Sequence, residues 1–155
     1  MVVTTLEDYA TAFLERAKDT DVLLNATRST GTIHFGGITI ECLIKAIIVE
    51  IKGIDEWRIN QDGLNHGIKN PGHDLIEALH EIKELRQRIQ QSPHMLSYLN
   101  TIQTPLINYI DMRYDCSGID EEKFDKWKDA YYGLIRWLNT QRTQLKKTLR
   151  GGRRK

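Results

Sequence analysis

His34-Phe-Gly-Gly-Ile-Thr-Ile-Glu-Cys-Leu-Ile-Lys-Ala46 is the stretch of this 155-residue chain whose reading decides the fold. Positions 34, 38, 41 and 45 advance by four, three and four residues. On a helix of 3.6 residues per turn that spacing places His34, Glu41 and Lys45 on one face. The surrounding apolar residues Ile33, Ile40, Ile44, Ile47, Ile48 and Ile51 extend the helical period over residues 32–52. Their β-branched density suits a strand, but about 20 residues at helical period without a turn signal outweigh propensity. Gly36 and Gly37 cost such a helix about 1 kcal/mol each, a cost normally offset by close approach of a neighbouring helix.

Working outward, Leu6, Tyr9, Ala10, Phe13, Leu14 and Ala17 predict a first helix from about residue 5, running on to about residue 27. Residues 28–31 form a short break before the second helix, and Gly53 ends it. Residues 54–71 read as a polar loop, and no segment reads as a strand. A third helix opens at His73-Asp74 and carries Leu75, Ile76, Leu79, Ile82, Leu85 and Ile89 to the stop at Ser92-Pro93. Met95, Leu96, Leu99 and Ile102 mark a fourth, with Leu106, Ile107 and Ile110 beyond Pro105. After a connector at 111–119, a last helix from Asp120 repeats Phe124, Trp127, Tyr131, Leu134, Leu138 and Leu145. The expectation is an all-α, antiparallel up-and-down bundle of four to five helices over residues 1–149, followed by a basic tail at 150–155.

Apolar residues make up 40% and charged residues 28%, the balance of a soluble globular domain. No uninterrupted apolar run reaches the ~18 residues that a membrane span needs, and the N-terminal residues lack the basic and apolar regions of a secretory signal. Two cysteines make no disulfide framework; Cys42, inside an apolar helix, reads as a reduced buried thiol. A cytoplasmic protein is expected.

The formal charge of +1 conceals an asymmetry. Asp120, Glu121, Glu122, Asp125 and Asp129 open the last helix. From Ile135 onward the ionic residues are all basic: Arg136, Arg142, Lys146, Lys147, Arg150, Arg153, Arg154 and Lys155. Acids first and bases last suit the helix dipole. The excess at Arg150, Arg153, Arg154 and Lys155 suits attraction to phosphate.

Glu41 four residues before Lys45 is the favourable order for an ion pair. Among isoleucines the pair is expected to be partly buried, where each charge needs partners, with His73 and Arg113 as candidates. Two readings follow: a polar cluster that fixes how helices meet, or a site for a ligand or an RNA phosphate.

The ordered set Gly37-x3-Glu41-x3-Lys45-Ala46, with His34 before it and Gly72-His73-Asp74-Leu75 and Arg113-Tyr114 after it, resembles the HEPN family (higher eukaryotes and prokaryotes nucleotide-binding). The resemblance covers about residues 6–114, and the final helix matches in character. It implies a helical bundle, often dimeric, that cleaves RNA without a metal, acts as a toxin beside a nucleotidyltransferase-type antitoxin, or binds RNA or nucleotides without catalysis. On that resemblance Glu41, Lys45, His73, Arg113 and Tyr114 are the ligand-binding candidates.

Catalytic members carry Arg, four to six residues, then His, late in the domain. A histidine there moves the 2′-hydroxyl proton while the arginine stabilises phosphate charge. Arg28-x5-His34 and Arg88-x5-His94 match literally, but both fall earlier than the family motif, and no histidine follows His94. Arg28 and His34 are the better catalytic candidates because His34 lies on the polar stripe. No zinc-ligand spacing, Walker loop or nucleophile elbow is present, so neither a metal nor a cofactor is expected. The trio Trp57, Trp127 and Trp137 reads as bundle packing.

The resulting expectation is a non-catalytic or divergent module that binds RNA, a nucleotide or a nucleotidyltransferase-type partner, as a homodimer and without a membrane. The alternatives are a metal-independent endoribonuclease toxin and a structural interaction module.

Overall fold

A computed structural model describes residues 2–59 and 68–153, with side chains described for 6–57 and 68–151. His66, Arg154 and Lys155 lie outside the described residues. The elements in order are β1 (Val2–Thr5), α1 (Tyr9–Asn25), α2 (Ser29–Lys52), β2 (Glu56–Ile59), α3 (Leu75–His80), α4 (Lys83–Gln90), α5 (Pro93–Gln103), a 3-10 segment (Tyr109–Tyr114) and α6 (Glu121–Arg153). The chain is an all-α helical bundle.

Helix α2 is its axis. Ile33, Ile40, Leu43, Ile44, Ile47 and Ile48 are fully buried, so the apolar residues surround the helix instead of forming one stripe. By length and hydropathy alone α2 could cross a membrane, although the sequence reading finds no span. Most of it is enclosed by the rest of the bundle, the condition of a core helix. It ends where Gly53 takes the left-handed conformation (φ 61°), as the sequence indicates. Its start comes three residues earlier than the sequence suggests. Only Ala26, Thr27 and Arg28 separate it from α1, with Thr27 at φ 57° making the reversal. Leu23 then packs at Gly31, and the Thr20 and Thr39 hydroxyls meet at 3.2 Å, so α1 and α2 run antiparallel.

Helix α6 runs in the same direction as α2 and touches it at both ends. Near the start the Trp127 ring lies where a Gly36 Cβ would sit. Near the end Arg142 Nε donates to Glu50 Oε2 at 2.8 Å, a second guanidinium nitrogen bonds Oε1, and Lys146 Nζ lies 3.2 Å from Oε2. The α4–α5 stretch returns along α6, with Tyr98 at Gly133 and Arg88 Nη1 2.5 Å from Gln141 Oε1. Two of the bases in the C-terminal run are therefore bound to a carboxylate of the bundle. Helix α6 continues through Arg153, past the expected tail boundary at residue 149.

Three further features depart from the sequence reading. The predicted third helix is two, because Ile82 takes an extended conformation (φ −105°, ψ 110°) between α3 and α4. No proline or glycine marks that break. Ile82 itself is fully buried, so core packing holds a geometry that a β-branched residue accepts readily. Second, Tyr109–Tyr114 forms a 3-10 segment in what reads as the end of helix four and its connector. Third, β1 and β2 pair antiparallel, Val2 opposite Ile59 through Thr5 opposite Glu56, although the sequence predicts no strand. The ribbon joins segments more than 50 residues apart, a contact that local periodicity does not encode. Trp57 on β2 is buried, and its indole N–H donates to the Tyr9 hydroxyl at 2.8 Å.

The paired glycines permit two aromatic rings to lie directly on α2. A Cβ on Gly36 would lie 2.4 Å from the Trp127 ring, and one on Gly37 2.2 Å from Cδ2 of Tyr109. Gly37→Ala should lower stability by about 1–3 kcal/mol in chemical denaturation despite its better helix propensity. Gly151→Ala, helical but surrounded by open space, should leave stability unchanged or slightly raised.

Burial of Glu50 favours its neutral form, but the hydrogen bonds and charges of Arg142 and Lys146 outweigh it and hold the carboxyl below its ordinary value. A lowered folded-state pKa contributes stability above the unfolded value and loses it as pH falls through the folded one. Glu50→Gln should therefore melt lower than the wild type at pH 7, and the gap should close below about pH 4.

Candidate nucleic-acid interface

Two polar assemblies meet on α2, and they share one tyrosine. The first is at the helix start. Arg28 is the N-cap residue and provides no side-chain cap, so the N–H groups of Ser29, Thr30 and Gly31 lack intrahelical partners. The first intrahelical bond is from Thr32 N to Arg28 O, 2.9 Å. A cleft of about 580 Å3 opens over this turn, lined by Thr27 to Gly31, His34 and Phe35 on one side. The other side is Met112 and Arg113 of the 3-10 segment and the following turn, Asp115 to Gly118. The acid in that lining, Asp115, has its carboxylate turned onto the Ser117 hydroxyl (2.7 Å) and the backbone N–H groups of Ser117 and Gly118. Among the described residues neither Arg28 nor Arg113 forms an ion pair. The Arg113 guanidinium rests over the Tyr114 ring, 4.8 Å from its centroid.

Two cationic side chains from different elements, one imidazole and the positive end of a 24-residue helix thus face one depression. Helix N-termini and unpaired guanidinium groups both favour anions, and arginine matches phosphate with two donors at once.

The second assembly is the polar stripe, and it is buried: Glu41 is 8% and Lys45 3% exposed. Glu41 Oε2 accepts from Lys45 Nζ at 3.1 Å. Oε1 accepts from His73 Nδ1 at 2.7 Å and from the Tyr109 hydroxyl in a short hydrogen bond. Lys45 Nζ also lies 5.6 Å from the centroid of the Tyr9 ring. Gln103 fixes the approach of His73, donating to its carbonyl at 3.1 Å and accepting from Leu75 N at 2.6 Å. Asp74 caps α3 just beyond. Burial, then the adjacent Glu41 charge, pushes the Tyr109 hydroxyl far above its ordinary pKa, so it remains a donor. Cys42 beside it is buried, and burial pushes its thiol up to about 11, which makes it unreactive at neutral pH.

The residues singled out in the sequence therefore divide. Arg28, His34 and Arg113 line the cleft. Glu41 and Lys45 form a buried pair that the exposed His73 joins from the rim, and the third partner of Glu41 is Tyr109 and not the expected Arg113. Tyr114 is 72% exposed and belongs to neither lining. In the second Arg-x5-His match, Arg88 bonds Gln141 on α6 and His94 is exposed at the start of α5. Trp57 and Trp127 are core residues, and Trp137 is half-buried. Arg150 is exposed at the end of α6. Among the described residues no group of three or more His, Cys, Asp or Glu side chains is placed to hold a metal ion.

Tyr109 and Gln103 are the members of this polar assembly that sequence reading passes over. Each reaches the cluster from outside α2, across a separation that helical spacing does not encode. No protein-family model, curated protein or solved structure matches this chain.

The buried pair gives a stability test. Glu41→Leu leaves the Lys45 ammonium buried without its carboxylate and should cost about 3–5 kcal/mol in chemical denaturation. Adding Lys45→Met should recover part of that loss. A double variant as unstable as the sum of its single variants would show that the two charges are not coupled.

Proposed function

We propose that this chain is a HEPN-like helical domain that binds the phosphates of RNA or a nucleotide in the cleft at the start of α2, as a non-catalytic or divergent member of that family. The observation that carries the reading is the convergence of Arg28, Arg113 and His34 on one cleft over unpartnered backbone N–H groups. The ordered sequence set that resembles the family supports it from a separate direction. In this reading the Glu41 cluster shapes the site without entering it, and the exposed bases at the end of α6 add attraction that is independent of sequence. Homodimer formation and a nucleotidyltransferase-type partner come from the family resemblance and belong to the same proposal.

A second reading, a metal-independent endoribonuclease, is favoured by Arg28 and His34 lining the same cleft. His34 would accept the proton of a 2′-hydroxyl as its oxygen bonds to phosphorus. The bond to the 5′-oxygen would break, and water would protonate the leaving oxygen. Arg28 and Arg113 would stabilise the charge that develops on the phosphate.

Binding of a labelled single-stranded RNA, followed by fluorescence anisotropy between 50 and 200 mM salt, tests the first reading. Affinity should fall steeply with salt, and Arg28→Ala and Arg113→Ala should each weaken binding and reduce the salt slope by about 1. Absence of binding at 50 mM salt rejects the reading, and binding indifferent to both variants places the RNA elsewhere. Incubation of the same RNA in EDTA separates the second reading: cleavage abolished by His34→Ala, with binding retained, assigns an enzyme.

A further inference from the structure

The residues at 34, 37 and 41 of α2 each contact the same tyrosine. His34 Nδ1 lies 3.0 Å from the backbone carbonyl oxygen of Tyr109. Gly37, with no side chain, lets the Tyr109 ring lie on the helix, where a Cβ would be 2.2 Å from it. Glu41 takes the Tyr109 hydroxyl and is itself held by Lys45 and His73. The polar stripe of α2 is therefore a cradle for one residue of the 3-10 segment. That segment delivers Arg113 to the cleft four residues later.

The contact at His34 has a chemical consequence. A carbonyl oxygen accepts hydrogen bonds and donates none, so Nδ1 of His34 must carry the hydrogen. The neutral ring then keeps its lone pair on Nε2, on a side chain that lines the cleft. We propose that Tyr109 is the positioning residue of the cleft. Through its carbonyl it fixes His34 in the Nδ1–H tautomer with Nε2 as the basic nitrogen, and through its hydroxyl it anchors the segment that carries Arg113. This inference rests on the phosphate-binding reading of the cleft. It adds that the buried Glu41–Lys45 pair, with His73 at its rim, serves the site through Tyr109.

The test is made on the full chain with inorganic phosphate as the probe. Long-range proton–nitrogen correlation of the His34 ring reports its tautomer, and phosphate titration followed at the same ring reports affinity. In the wild type His34 should show a protonated Nδ1 and a bare Nε2. Tyr109→Phe keeps the ring on Gly37 and the carbonyl but removes the hydroxyl. It should leave the tautomer, which the retained carbonyl sets, as it is and weaken phosphate binding at least threefold by loosening the segment that carries Arg113. Ile89→Val, a core substitution in α4, should move neither signal and separates positioning from general destabilisation. A wild-type ring protonated on Nε2, or a Tyr109→Phe variant with unchanged phosphate affinity, overturns the proposal. The expected tautomers in a wild type that binds no phosphate would reject the binding reading and leave the positioning of His34 standing.

Discussion

A carboxylate at Glu41 and an ammonium at Lys45, both almost wholly removed from water, set the constraint that the rest of the structure obeys. Withdrawing such charges from solvent costs several kcal/mol per ion, even after relaxation. Their mutual attraction offsets that only if the remaining lone pairs and protons also find partners. The partners come from three other places in the chain: His73 ahead of α3, the Tyr109 hydroxyl in the 3-10 segment, and the face of the Tyr9 ring on α1. Satisfying one ion pair therefore fixes the approach of three segments to the central helix. An apolar pair at 41 and 45 would fill the same volume without naming those partners.

The same geometry separates holding from contacting. The Glu41–Lys45 pair is enclosed and its ammonium is already paired, so it has little to offer an incoming anion. The cleft at the other end of the stripe has the opposite character, with guanidinium groups that pair with no carboxylate among the described residues and first-turn N–H groups that lack intrahelical partners. Tyr109 joins the two, its hydroxyl on Glu41 and its carbonyl on His34, which lines the cleft. A fold can in this way place its costly buried charges away from the surface that meets a ligand and still use them to set that surface.

Much of the bundle was legible in the sequence because helical period is a local property. The Ile-rich run of α2, the stop at Gly53, the start of α3 after Asp74 and the long α6 with its ordered charges all follow from neighbours within one or two turns. The paired glycines announced close packing, though not that an indole and a phenol would occupy the space. The β1–β2 ribbon and the break at Ile82 were not legible, since each depends on contacts between distant segments that override local preference.

The candidate site divides along the same line. By itself the sequence determined that His34, Glu41 and Lys45 share a helix face, because the spacing of residues on one helix is fixed by its geometry. It determined also that Arg28 and His34 flank the start of that helix. Only the tertiary structure decided that Arg113 joins them in the cleft and that Tyr109, not Arg113, completes the partners of Glu41. Those pairings span 68 residues and more, and they are set by where the chain lies after α5. Spacing along a helix carries no information about a segment that reaches it from elsewhere.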